Sequence, residues 1–226
     1  MRLPAPATLA TLGEQLDAAL EQAIIQGILK PGQRINPDEI AEQYGVSRIP
    51  VREALRSLGA NGWVDIRPRH GAYVRKRSAE ELFQLFEVRG VLEAVAARSA
   101  AARRTPEQLA ELSDLAARCL AAAQQGNRDS EVASLNAAFH QAVARASGNE
   151  VLASMLDHLG KRVRWYFTAV VPVRGAASAH EHVELVEAVR DRDADAAERI
   201  VHAHLNATRE VLEQAIATAD AALPGG

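Results

Sequence analysis

The chain has a single cysteine, Cys119, among 226 residues. One cysteine excludes an intrachain disulfide framework and any zinc finger built on cysteine pairs, so the residue reads as buried apolar filling in a chain that needs no oxidising compartment. Aromatic residues are also scarce. They make up 4 % of the chain against 48 % hydrophobic residues, with alanine prominent among the latter, a balance that favours closely packed helices over sheets. Arg or Glu interrupts the apolar stretches every few positions, leaving no run long enough to span a bilayer and no signal-peptide pattern. A cytoplasmic chain without membrane contact is expected.

The net charge of −3 conceals an asymmetry. Residues 1–77 carry 11 Lys and Arg against 8 Asp and Glu, a balance of +3, and residues 78–226 carry 15 against 21, a balance of −6. A basic lobe joined to an acidic one suggests that the first meets a polyanion.

Leu12, Leu16, Ala19, Leu20, Ala23, Ile24 and Ile28 keep the period of an amphipathic helix over 11–29. Pro37-Asp38-Glu39 opens a short helix that ends at Gly45. Ser47 is expected to cap a third helix, with Pro50 in its first turn and Val51, Ala54, Leu55 and Leu58 as its buried stripe. Two β-prone pieces, 63–66 and 72–75, then flank a basic Pro/Gly turn. Helix, helix, turn, helix, hairpin is the order of a winged helix-turn-helix, assigned to residues 1–77. Breaks at Thr105-Pro106, Gly126-Asn127, Gly148-Asn149, Pro172 to Gly175 and Asp191 to Asp193 divide residues 78–226 into six helical segments. These are 79–103, 106–125, 129–147, 150–170, 176–190 and 194–218, followed by a frayed Pro-Gly-Gly tail. The fold class is mainly α, a winged helix-turn-helix followed by an all-helical bundle.

Arg48, Arg52 and Arg56 recur at four-residue intervals, roughly opposite the buried stripe of the third helix. A helix laid in the DNA major groove reads bases from its N-terminal part, and arginine suits both guanine edges and phosphates. Ser47 and the helix N-terminal amides add phosphate donors. Arg67, Arg69 and His70 in the hairpin turn extend the contact into an adjacent groove, where Gly71 allows close backbone approach.

The stretch "LKPGQRINPDEIAEQYGVSRIPVREALRSLGANGWVDIRPRHGAYV" closely resembles the DNA-binding domain of the GntR family of bacterial transcription regulators, over residues 12–75. By that resemblance Arg48 and Arg52 are the principal base and phosphate readers, with Ser47 and Pro50 beside them, His70-Gly71 at the wing tip and Arg34 on the DNA backbone. Ile49 stands where threonine is common in that family, so a hydroxyl contact there is absent.

Histidines carry the chemistry of the second lobe. Asn136 and His140 are four residues apart on one helix face. His180 and His182, like His202 and His204, are about 200° apart around their helices, so at most one of each pair faces a shared site. Three imidazoles and an oxygen donor suit zinc or nickel. Each histidine is otherwise an ordinary surface or hydrogen-bonded core residue.

The segments "FEVRGVLEAVAARSAA", "NAAFHQAVARASGN" and "EHVELVEAVRDRDADAAERIVHAHL" resemble, in that order, the all-helical FCD ligand-binding domain of the FadR-like branch of the same family, over 80–206. The resemblance implies a divalent metal held by Asn136, His140, His182 and His204, with asparagine where the family usually has aspartate. It also implies that Arg89 meets the carboxylate of a small organic-acid effector. Arg89 otherwise pairs with Glu93, four residues on. Arg162, Arg164, Trp165 and Tyr166 line the same pocket or form a helix–helix contact.

The expectation is a ligand-responsive regulator, not an enzyme, that binds palindromic double-stranded DNA as a homodimer. Two alternatives stand beside it. One is a metal-dependent hydrolase, which has no HExxH and no nucleophile motif here and only Glu181 beside His182 to keep it open, and the other a constitutive DNA-binding protein whose second domain only dimerises.

Overall fold

In a computed structural model of the chain, residues 11–126 and 128–221 are described. Asn127 of one expected break and the Pro-Gly-Gly tail lie outside them. The chain divides into two units, Met1–Lys76 and Arg77–Gly226.

The first unit holds α1 (Leu12–Ile25), β1 (Arg34–Ile35), α2 (Pro37–Tyr44), α3 (Arg48–Ala60), β2 (Val64–Arg67) and β3 (Gly71–Val74). Thr11 starts α1 with a capping box to Glu14, which satisfies two otherwise unpaired amides at once. Asn36 caps α2 by accepting from the Asp38 amide, and Pro37 occupies the first helical turn as its missing N–H permits. Gly45 closes α2 in the left-handed conformation, φ 65°, which costs glycine nothing. Ile24 of α1 and Val51 and Leu58 of α3 are fully buried with Val74, joining the two helices to the sheet.

Several boundaries differ from the sequence expectation. Helix α1 stops at Ile25, short of 29, because Gly27 turns left-handed at φ 74°. The sheet gains a two-residue strand, β1, that pairs antiparallel with β3 in the order β1-β3-β2. Ser47 sits at the N-cap position of α3, but its hydroxyl makes no capping bond. That corrects the expected cap and leaves the exposed hydroxyl available.

The second unit is a bundle of α4 (Ala79–Arg103), α5 (Pro106–Gln125), α6 (Asp129–Ala146), α7 (Glu150–Phe167), α8 (Val171–Arg190) and α9 (Ala194–Ala221). Helix α4 packs along α9, α5 lies against α6 and α8, and α8 also meets α9. Cys119 is buried in α5, and burial raises its thiol pKa to about 11. Pro172 to Gly175 is not a break. Helix α8 begins at Val171 and takes Pro172 into its first turn, where proline costs no helical hydrogen bond. Gly175 then lies inside the helix, where an added Cβ would come within 3.2 Å of Val132 and Val171.

Arg162, Trp165 and Tyr166 serve the helix–helix alternative. Arg162 pairs with Glu81 of α4. The Tyr166 hydroxyl accepts from the Ser78 amide at 3.0 Å and contacts a Glu81 oxygen at 3.0 Å, and the Arg77 guanidinium donates to the Trp165 carbonyl and stacks over its ring. These contacts fix the first residues of the second unit onto α7.

Candidate DNA-binding face and histidine centre

The cationic row on α3 points outward. Arg48, Arg52 and Arg56 are exposed, while Val51, Ala54, Leu55 and Leu58 of the same helix are buried. Arg48 forms an ion pair with Asp38 of α2 at 2.8 Å, both side chains being more than half exposed. A pair so exposed contributes about 0–1 kcal/mol, little enough to exchange for a phosphate. Arg52 and Arg56 form no ion pair among the described residues. Ile49, 69 % exposed beside them, adds an apolar group to the same face.

The hairpin tip is a three-residue loop, Pro68-Arg69-His70, between the paired Arg67 and Gly71. Arg69 adopts φ 64° and Gly71 φ 103°, the left-handed geometry such loops require. Arg67 stacks over the Tyr73 ring, so Arg69 and His70 form the exposed end of the wing. The Arg34 guanidinium lies 3.5 Å from where a Gly71 Cβ would stand, which brings β1 and the wing base together.

In the second unit, three helices bring His140 (α6), His182 (α8) and His204 (α9) together. One ring nitrogen of each lies within 4.8 Å of those of the other two. His180 and His202, the alternatives two residues away, are exposed, as the turn of a helix requires. Asn136, one turn before His140, is buried and accepts from the Ser178 hydroxyl at 3.1 Å.

Two carboxylates orient two of the rings. Glu93 of α4 binds the His140 Nδ1 at 2.9 Å, and Glu181 of α8 binds the His204 Nδ1 at 2.7 Å. An ionised carboxylate only accepts, so each Nδ1 carries the proton and each Nε2 presents a lone pair. Those two Nε2 atoms are 3.3 Å apart. Both nitrogens of His182 are buried without a hydrogen-bond partner among the described residues, and its ring stacks on Phe139 at 4.2 Å.

The electrostatics keep the rings neutral. Burial lowers the pKa of all three histidines, and it takes His204 to about 4 despite the nearby Glu181. Burial would raise the Glu93 carboxyl, but Arg89 and His140 outweigh it and hold the group below the usual carboxylate range. Arg89 donates to Glu93 at 2.6 Å with both side chains buried. The pairing alternative for Arg89 is therefore present, inside the bundle.

Such a donor set fits a divalent cation. Two nitrogens on a tetrahedral zinc ion stand about 3.3 Å apart at ordinary Zn–N lengths, which is the His140–His204 spacing. Carboxylates on the distal nitrogens are the usual device for fixing the tautomer of a metal-binding histidine.

The orienting roles of Glu93 and Glu181 are not marked in the sequence pattern, nor is Arg174 of α8, a buried guanidinium paired with Glu181 and bonded to the His204 carbonyl. Only the burial of Glu93 has a signal, since Arg89 and Glu93 continue the buried stripe of Leu82 and Phe86 at spacings of three and four. For Arg174 the supposed break at 172–175 hid the helical face it belongs to.

Comparisons with known proteins agree with this architecture. The family described as bacterial regulatory proteins, gntR family, matches residues 12–74, and the FCD domain matches 84–207. The Nta operon transcriptional regulator of Aminobacter aminovorans is 33 % identical over 178 residues, covering 78 % of this chain and 82 % of the relative. The HTH-type transcriptional regulator LutR of Bacillus subtilis (strain 168) is 31 % identical over 214 residues, with 84 % and 95 % covered. The solved structure of E. coli McbR/YncC superposes with a TM-score of 0.77 at 25 % identity, over 91 % of this chain and 99 % of the other.

Proposed function

Because the chain belongs to the gntR family of bacterial regulatory proteins and carries an FCD domain, we propose that a small organic acid, bound beside a divalent metal, sets its affinity for operator DNA. The chain is a DNA-binding transcription regulator and not an enzyme. A metal here therefore serves recognition instead of water activation, and the hydrolase alternative falls away.

The observation that carries this reading is the approach of the His140 and His204 Nε2 atoms to 3.3 Å. With both distal nitrogens protonated toward glutamates, two lone pairs face each other in a buried site, an arrangement that a cation relieves. His140, His182 and His204 hold zinc or nickel, and Asn136 offers a neutral amide oxygen from the same face of α6. The bound ion supplies a Lewis acid for a carboxylate or hydroxyl oxygen of the effector. Arg89, buried in its pairing with Glu93, stands behind His140 at the same centre.

On the DNA side, Arg48 and Arg52 meet bases and phosphates, and Ser47, Pro50 and Arg56 flank them. Arg34, Arg69, His70 and Gly71 meet the neighbouring backbone. The regulator works in the bacterial cytoplasm, where its DNA lies; among the described residues no helix is long and apolar enough to cross a membrane. A palindromic operator calls for two heads, hence a homodimer. Val88, Val91 and Val95 form an apolar stripe on α4 that is 47–65 % exposed, which suits burial against a second copy. Effector binding shifts the balance between head arrangements only insofar as the two states differ in affinity for it.

The direct test is a gel shift on a duplex selected from random sequences, with zinc present and carboxylic acids added one at a time. At least one acid should change the affinity of the wild-type chain and leave His140→Ala unresponsive. A response retained in His140→Ala would remove the histidine centre from signalling.

A further inference from the structure

Arg174 is a buried cation with most of its donors unused. It precedes Ser178 by one turn of α8 and His182 by two, so the three share one helix face, and all three are buried. Its Nη2 is committed to the Glu181 carboxylate and to the His204 carbonyl at 3.3 Å. Nε and Nη1, which carry three N–H bonds between them, are sealed from solvent with no acceptor among the described residues. Buried charged donors are costly to leave unsatisfied, so an acceptor from outside the chain is the natural complement.

Charge around the histidines points the same way. Arg89 is matched by Glu93 and Arg174 by Glu181, the three rings are neutral, and Asn136 bears no charge. A divalent ion held by these groups keeps both of its positive charges in a buried place, where uncompensated charge is expensive.

We infer that Arg174 receives one carboxylate of a dianionic effector, a small dicarboxylate, whose second carboxylate goes to the histidine-held ion; the inference rests on the metal reading above. Two carboxylates supply the two negative charges that balance the ion, and one of them gives the buried Nε and Nη1 of Arg174 an acceptor. A monocarboxylate leaves one positive charge unmatched and Arg174 unsatisfied.

Titration calorimetry on the zinc-loaded full-length chain, with succinate and malonate against propionate, tests this. The wild type should bind one of the dicarboxylates roughly tenfold or more tighter than propionate, the worth of a charged hydrogen bond. Arg174→Gln should lose that preference while keeping its zinc. Should this variant melt early because Glu181 loses its partner, the same exchange in a Glu181→Gln background, compared with Glu181→Gln alone, gives the same readout. Equal binding of dicarboxylates and propionate by the wild type, or a preference that survives loss of Arg174, overturns the inference. Zinc content is read separately by elemental analysis: a wild type that takes up no zinc ends the metal reading and this one together, whereas zinc uptake without dicarboxylate preference ends only this one.

Discussion

His140 and His204 point their Nε2 atoms at each other across 3.3 Å while Glu93 and Glu181 hold their Nδ1 atoms from behind. Four helices supply these groups, α4, α6, α8 and α9. Their packing therefore fixes the tautomers before any ligand arrives.

Glu181 acts on the ion only through His204. Replacing it with glutamine keeps an acceptor for the Nδ1 proton but removes the charge that makes the ring a better donor. Zinc affinity of Glu181→Gln, measured by competition with a chromogenic chelator, should fall about tenfold or more, the usual cost of losing such a partner. An unchanged affinity would mean that the glutamate does not tune the ring.

Acid should destabilise the metal-free chain in a defined window. The folded histidines have pKa values below 6.5, His204 at about 4, while the unfolded chain protonates near 6.5. Between these values the unfolded state binds more protons, so stability falls as pH drops from about 6.5 towards 4 and is unaffected by these groups above it. Glu93, depressed by Arg89 and His140, extends the loss below that range. Thermal melts in chelator at pH 7.5, 6 and 5 should show a falling midpoint; a flat profile would contradict buried neutral rings.

Arg52 is exposed on α3 without an ion pair among the described residues. Arg52→Ala should leave the melting temperature intact and weaken binding to the selected duplex by about 1–3 kcal/mol, the range for a specific base contact. Affinity should also fall steeply with salt, and less steeply in the variant if a phosphate contact is lost. Equal wild-type and variant affinity at matched salt would take α3 out of the groove.

Val91, 65 % exposed between Val88 and Val95 on α4, probes the dimer. Val91→Asp places a charge in the stripe without touching the core. Sedimentation should show the wild type as a dimer and the variant shifted towards monomer; a variant that stays dimeric assigns the interface to another face.

Much of the first unit was legible in sequence because its stripe of Val51, Ala54, Leu55 and Leu58 follows helical spacing and its arginines fall opposite. Helix arithmetic limited the histidines to one of each close pair, and the FCD resemblance favoured His182 and His204 over His180 and His202. What it lacked was partnership across helices. Nothing in the spacing tells that Glu93 of α4 reaches His140 of α6, or that Glu181 turns to His204 instead of serving its neighbour His182. Proline and glycine at 172 and 175 read as a break because those residue types usually end helices, yet a first-turn proline and a glycine packed against Val132 continue one. Ser47 reads as a cap from its residue type, and its backbone has the extended geometry of one, φ −74° and ψ 166°, yet its hydroxyl makes no capping bond.

The most direct measurement is the metal content of the full-length chain, purified after zinc loading and desalting, for the wild type, His140→Ala and His204→Ala. About one zinc per wild-type chain and a large loss in both variants, with helical content preserved, is the expected result. Equal zinc in all three, or none in the wild type, would contradict a histidine-held ion at the centre of this regulator.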